Sequence, residues 1–146
     1  MRCIRYIQII RPHWKLACCL LSFSALGLAA PAITALTWQQ KAQNVCQQLD
    51  TASKAYQQNN MQQAHFNATM AYFQNYDLNI EPAARKIFQQ GHIFEIEQMF
   101  SHLNSNMVDN PTPQQIAAIK QQTDALCQAI VSDAKNMDAE QLDYPT

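Results

Sequence analysis

Between residues 38 and 56, apolar side chains recur at Trp38, Ala42, Val45, Leu49, Ala52 and Tyr56, in alternating steps of four and three. A strand repeats every two residues, so this spacing predicts an amphipathic helix that packs on other helices. Thr37 with Gln40 three residues on is a capping-box start, and Cys46 borders the apolar face. Asn59 and Asn60 predict a turn, after which residues 61–76 read as a second helix. It is apolar on two stripes, Met61, His65, Ala68, Tyr72 and Tyr76 on one, Phe66, Met70 and Phe73 on the other, with Asp77 continuing the latter. A helix of that kind is expected to have neighbours on two sides.

Pro82 disfavours helical geometry at Glu81 and is tolerated only in the first turn of a new helix. The chain is therefore expected to break at 78–81 and to continue as a third helix over 82–104, with Gly91 its weak point and Ile93, Ile96, Phe100 and Leu103 its inner face. Residues 104–112 read as a loop. Thr112 and Pro113 restart the chain, and Ile116, Ile119, Thr123, Leu126, Ile130, Asp133 and Met137 again alternate by three and four, with Cys127 beside them. Four helices with short connections predict an all-α protein, a four-helix up-down-up-down bundle.

The bundle does not use the whole chain. Residues 1–15 carry Arg2, Arg5, Arg11 and Lys15 and no acid, residues 16–30 carry no charge, and Ala30 and Ala32 are small. That order predicts a secretory signal peptide over 1–32 and a mature domain over 33–146, periplasmic or secreted. An inner-membrane anchor over 16–36 is the alternative, although the apolar run is shorter than the roughly 20 residues of a spanning helix. Four of the ten basic residues lie in the leader and all eleven acids beyond it, which leaves the mature chain at −5. An acidic product repels nucleic acid and attracts cations. Cys46 and Cys127 are the two cysteines left after the leader. In an oxidising compartment they predict one disulfide; a pair of metal-binding or reactive thiols is the other reading.

Chemistry is limited by what is missing. Gly91 is the one glycine after the leader, so no glycine-rich phosphate loop or dinucleotide fingerprint can form, and no organic cofactor is expected. The sequence has no CxxCH, HExxH or GxSxG, and an enzyme is not expected. Carboxylates and imidazoles on facing helices remain, the groups from which helical proteins build metal sites. His92, Glu95, Met99 and His102 share one face about 100° from the core stripe, where solvation is the plainer explanation. Glu97 lies at the edge of the core and Asp77 at the end of an apolar stripe. His65, on an apolar face, reads as a core histidine satisfied by a hydrogen bond or as a ligand.

The stretch from Ala71 and Tyr72 through Asp77 and Glu81 to Glu95, Ile96, Glu97 and Phe100 resembles the extracytoplasmic helical domain of bacterial high-affinity iron permeases. The likeness covers about residues 40–135. Two features depart from it: the membrane helices with their Arg-Glu-x-x-Glu motifs are absent, and Asp77 stands where a glutamate is usual. A weaker likeness joins Gly91, His92 and Glu95 to imelysin-like iron-uptake proteins. The resemblance implies a detached, soluble form of the iron-facing domain, with Asp77, Glu81 and Glu97 as oxygen ligands and His92, Glu95 and His102 as lesser candidates. It implies iron as the metal, since carboxylate oxygens also suit manganese or calcium. The implied partner is a membrane iron permease or another periplasmic protein. The rival reading is a non-catalytic structural or interaction bundle, in which Tyr72, Phe73, Tyr76, Phe94 and Phe100 form a core or a docking face. Oligomeric state is not legible.

Overall fold

A computed structural model describes residues 35–143, which belong to a compact unit spanning Ile33–Thr146. The expected signal peptide, and nearly all of the alternative anchor, lie outside the described residues. Among the described residues the fold is all-helical. None of these helices is long and apolar enough to cross a membrane.

Helix α1, Trp38–Gln57, begins at the predicted capping box: the Thr37 side chain accepts from the Gln40 amide, and the Gln40 side chain accepts from the Thr37 amide. All six residues of its predicted stripe are fully buried. The stripe also carries Lys41, whose stem is buried while its ammonium sits 4.7 Å from the centre of the Trp38 ring. Asn59 then adopts the left-handed conformation at φ 55°, as asparagine does readily. Its side chain exchanges hydrogen bonds with Asn110, also left-handed at φ 52°, so the two turns at this end are pinned together.

Helix α2, Met61–Met70, is capped by the Asn60 side chain. It continues without interruption, but residues Ala71–Asp77 take a π-helical form in place of the expected α-helix. The rings of Tyr72 and Tyr76 remain stacked along the inner side, 6.3 Å apart. Alanines at 64, 68 and 71 are buried and let α2 lie close to its neighbours. Those neighbours are α1 and the helix over Gln90–Ser105, yet Phe66 and Phe73 stay 54% and 52% exposed. The second apolar stripe therefore faces outward at both rings, contrary to the sequence expectation.

The expected third helix is divided. Glu81–Ala84 form a single turn, α3, with Pro82 at its start, and the chain then bends before α4, Gln90–Ser105. The break precedes Gly91, and helical phase explains it. Ala84 and Ile93 are nine residues apart, so on one continuous helix they would face about 180° apart. Both are fully buried, and the bend at 85–89 is what lets both face inward. Helix α5, Pro113–Ala139, starts at the predicted restart, where Thr112 and Gln115 form a capping box, and buries the predicted stripe from Ile119 to Met137, with Ile116 half-buried.

Helix α5 packs on α1 and α4, while α2 with its π-helical continuation packs on α1, and α2 on α4. The Cys46–Cys127 disulfide joins α1 to α5 with the Cα atoms 5.1 Å apart, as the sequence predicts.

Candidate functional site

Two of the carboxylates singled out in the sequence, Glu81 and Glu97, come together where α3 and α4 meet, while Asp77 is half-buried at the end of the π-helical segment. Glu81 opens α3 and is 7% exposed. Its Oε1 accepts from Arg85 Nε at 2.8 Å and from Nη2 at 2.6 Å, an i,i+4 pair within the turn that Pro82 starts. The same Nη2 donates to Glu97 Oε1 at 3.0 Å. One half-exposed guanidinium thus holds two acids from different helices. Glu81 Oε2 is buried and has no hydrogen-bond partner.

Tyr72 and Tyr76 hang over this cluster from the π-helical segment, and both rings touch Phe100 of α4. Burial, and then the negative charges of Glu81, Glu97 and Asp77, push the Tyr72 phenol up, while Arg85 opposes them. Tyr76 is fully buried. Its phenol is driven far above the ordinary tyrosine range, chiefly by burial and then by Glu81, Asp133 and Glu97. The Tyr76 hydroxyl, like Glu81 Oε2, has no hydrogen-bond partner. The site is an acid-rich, tyrosine-lined corner with a single arginine in it.

The lesser candidates do not join this cluster as ligands. His92 Nε2 lies 2.9 and 2.8 Å from the two carboxylate oxygens of Asp133 on α5, and its ring packs on Phe88. Glu95 and His102 are exposed on the outer side of α4, as their distance from the core stripe suggests. His65 is half-buried and its Nδ1 pairs with Asn104 Oδ1 at 2.7 Å, in keeping with the hydrogen-bonded alternative. Among the described residues, no group of three or more His, Cys, Asp or Glu side chains is placed to hold a metal ion. Arg85 stands between Glu81 and Glu97, where a cation would otherwise be drawn.

Sequence reasoning passed over Asp133, Arg85 and the tyrosine hydroxyls. Asp133 was visible as an acid on an apolar stripe, and Arg85 as a cation four residues after Glu81.

Asp133 is 4% exposed. Burial lifts its carboxyl above the usual 3.8, and the hydrogen bond and charge of His92 only partly counter this. A raised folded value means that the folded state holds the proton more tightly than the unfolded chain does. Asp133 therefore contributes stability that is complete below pH 3.8 and is lost as pH rises through its raised folded value. Urea denaturation of the wild type and Asp133→Asn from about pH 3 to about pH 7 checks this. The wild type is expected to lose ground against the variant across that window; parallel curves would contradict it.

Beside the cluster, a groove of about 310 Å³ runs between the π-helical segment and α4. Tyr72, Phe73 and Phe100 supply its rings, and Glu97, Ser101 and Asn104 line the α4 side. One end is marked by the Arg85–Glu97 pair and the other by the His65–Asn104 bond. Phe73, on the groove, is more than half exposed. No family model, curated protein or solved structure matches this chain. These comparisons add no support to the iron-permease resemblance.

Proposed function

We propose that this chain is an exported, non-catalytic helical module that works by docking a protein partner on the groove between its π-helical segment and α4. In this reading residues 1–32 are the signal peptide, and α1, α2, α4 and α5 close an up-down-up-down bundle. The cyclic order of packing, α1 on α2, α2 on α4, α4 on α5 and α5 on α1, supports that closure. The observation that carries the docking reading is the groove itself, open and aromatic, with Phe73 52% exposed where a monomer would gain by burying it. A photo-crosslinking residue at position 73 of the exported protein is expected to give one discrete adduct in cells. The same residue at Gln128, exposed on α5, is expected to give none. Adducts at both positions, or at neither, would sink the reading.

A second reading keeps a cation as cargo, with iron first and a membrane iron permease as the recipient. Glu81 Oε2 and the Tyr76 hydroxyl favour it, since both are buried without partners and the charges of Glu81 and Glu97 reach the phenol. Arg85 is 45% exposed on its side chain, and here it would swing out to admit the ion. Calorimetric titration of the oxidised protein with ferrous, chelated ferric and manganous ions distinguishes the two. Saturable binding that is lost in the Asp77→Asn/Glu97→Gln double variant and weakened in Tyr76→Phe supports cargo. In its absence Tyr76→Phe is expected to be neutral or stabilising, because a buried hydroxyl without a partner costs about 1–3 kcal/mol.

A further inference from the structure

The occupant of the groove is specified more narrowly by what surrounds it; this step rests on the docking reading above. The rings of Tyr72, Phe73 and Phe100 give an apolar floor. Acids gather at one end only. Glu97 lines the groove, and Glu81 is tied to it through Arg85. Asp77 ends the same π-helical segment that carries Tyr72 and Phe73. Two carboxylates therefore share one guanidinium there, while the opposite end is closed by the His65–Asn104 pair. From Glu97 to Asn104 is seven residues, so the groove is about 10 Å long on the α4 side. That admits two turns of helix or about three extended residues.

We propose that the groove takes a short basic segment of a partner protein, with a lysine or arginine at the Glu97 end and an aliphatic or aromatic side chain over Phe73 and Phe100. The placement of charge argues for it. A cation at that end meets an excess of carboxylate and can lie on the face of Tyr72, whose ring quadrupole attracts it. An acidic segment would meet the same carboxylates as repulsion, and a purely apolar one would leave them uncompensated. The recognition is electrostatic at one end and apolar at the other, which fixes the direction in which a segment lies.

Amide chemical shifts of the oxidised, exported protein, labelled with ¹⁵N, report the outcome directly. Three capped peptides of equal length serve as probes: lysine with leucine, glutamate with leucine in the same order, and serine with leucine. The lysine peptide is expected to shift resonances from Thr69 to Phe73 and from Glu97 to Asn104, saturably, and to weaken as salt is raised. Glu97→Gln is expected to lower its affinity at least about fivefold and Phe73→Ser at least about tenfold. Both side chains are solvent-accessible, and an unchanged melting temperature would show that each variant folds. If the serine or glutamate peptide binds the groove as tightly as the lysine peptide, the basic occupant is wrong and the docking reading survives. If no peptide shifts these resonances, both are overturned.

Discussion

Replacing Cys46 and Cys127 with serine is expected to remove about 4.5 kcal/mol of folding stability. The bond spans 81 residues, so in the chain-entropy account it withdraws a large share of the open conformations available to the unfolded chain. It joins α1 to α5, the two longest helices, and the helices packed between them gain from the same restriction. For a domain of this size the loss corresponds to a fall in melting temperature on the order of 20 °C. Urea titration of the oxidised wild type, the reduced wild type and the double serine variant checks the claim, with midpoint and slope both recorded. The reduced protein and the variant should agree, because both sulfurs are half-buried and the serines leave little void. A loss below about 1 kcal/mol would mean that the unfolded chain is already compact, so that the bond restricts little.

The caps and stripes of α1 and α5 are legible because local rules decide them: Thr37 and Thr112 each find the glutamine that the capping box requires, and a period near 3.6 selects the buried side chains. The bend at 85–89 is not legible from breaker residues, because its cause is a conflict of helical phase between Ala84 and Ile93. The π-helical form of Ala71–Asp77 leaves the apolar order of Tyr72 and Tyr76 unchanged, so sequence spacing alone carries no sign of it. The exposure of Phe66 and Phe73 is not legible from their apolar character, because apolar side chains make up much of any protein surface. At the candidate site, the convergence of Glu81 and Glu97 belongs to tertiary structure, since Glu97 lies sixteen residues beyond Glu81 in the chain. The i,i+4 approach of Arg85 to Glu81 is local. Its reach to Glu97 is what joins the acids, and that requires the bend.

Trp38→Ala is expected to cost about 3–5 kcal/mol, the usual range for emptying a buried indole site. The ring is fully buried, and its Nε1 donates to the Leu142 carbonyl at 3.1 Å, which fastens the segment after α5 onto the start of α1. The backbone strengthens the same junction. Asp138 accepts from the Trp38 and Gln39 amides, while the Thr37 hydroxyl accepts from the Gln40 amide. Three first-turn donors of α1 thus find acceptors, two of them from a carboxylate that also suits the positive end of the helix. The indole additionally carries Lys41 against its face, so its loss exposes the buried stem of that lysine. Trp38→Phe keeps a ring but drops the hydrogen bond, and about 1–2 kcal/mol is expected for it. Denaturation of both variants gives the magnitudes, and limited proteolysis after residue 139 reports whether the end of the chain is released. A cost under about 1 kcal/mol for the alanine variant would show that the site collapses and that the junction is held by Asp138 rather than by the indole.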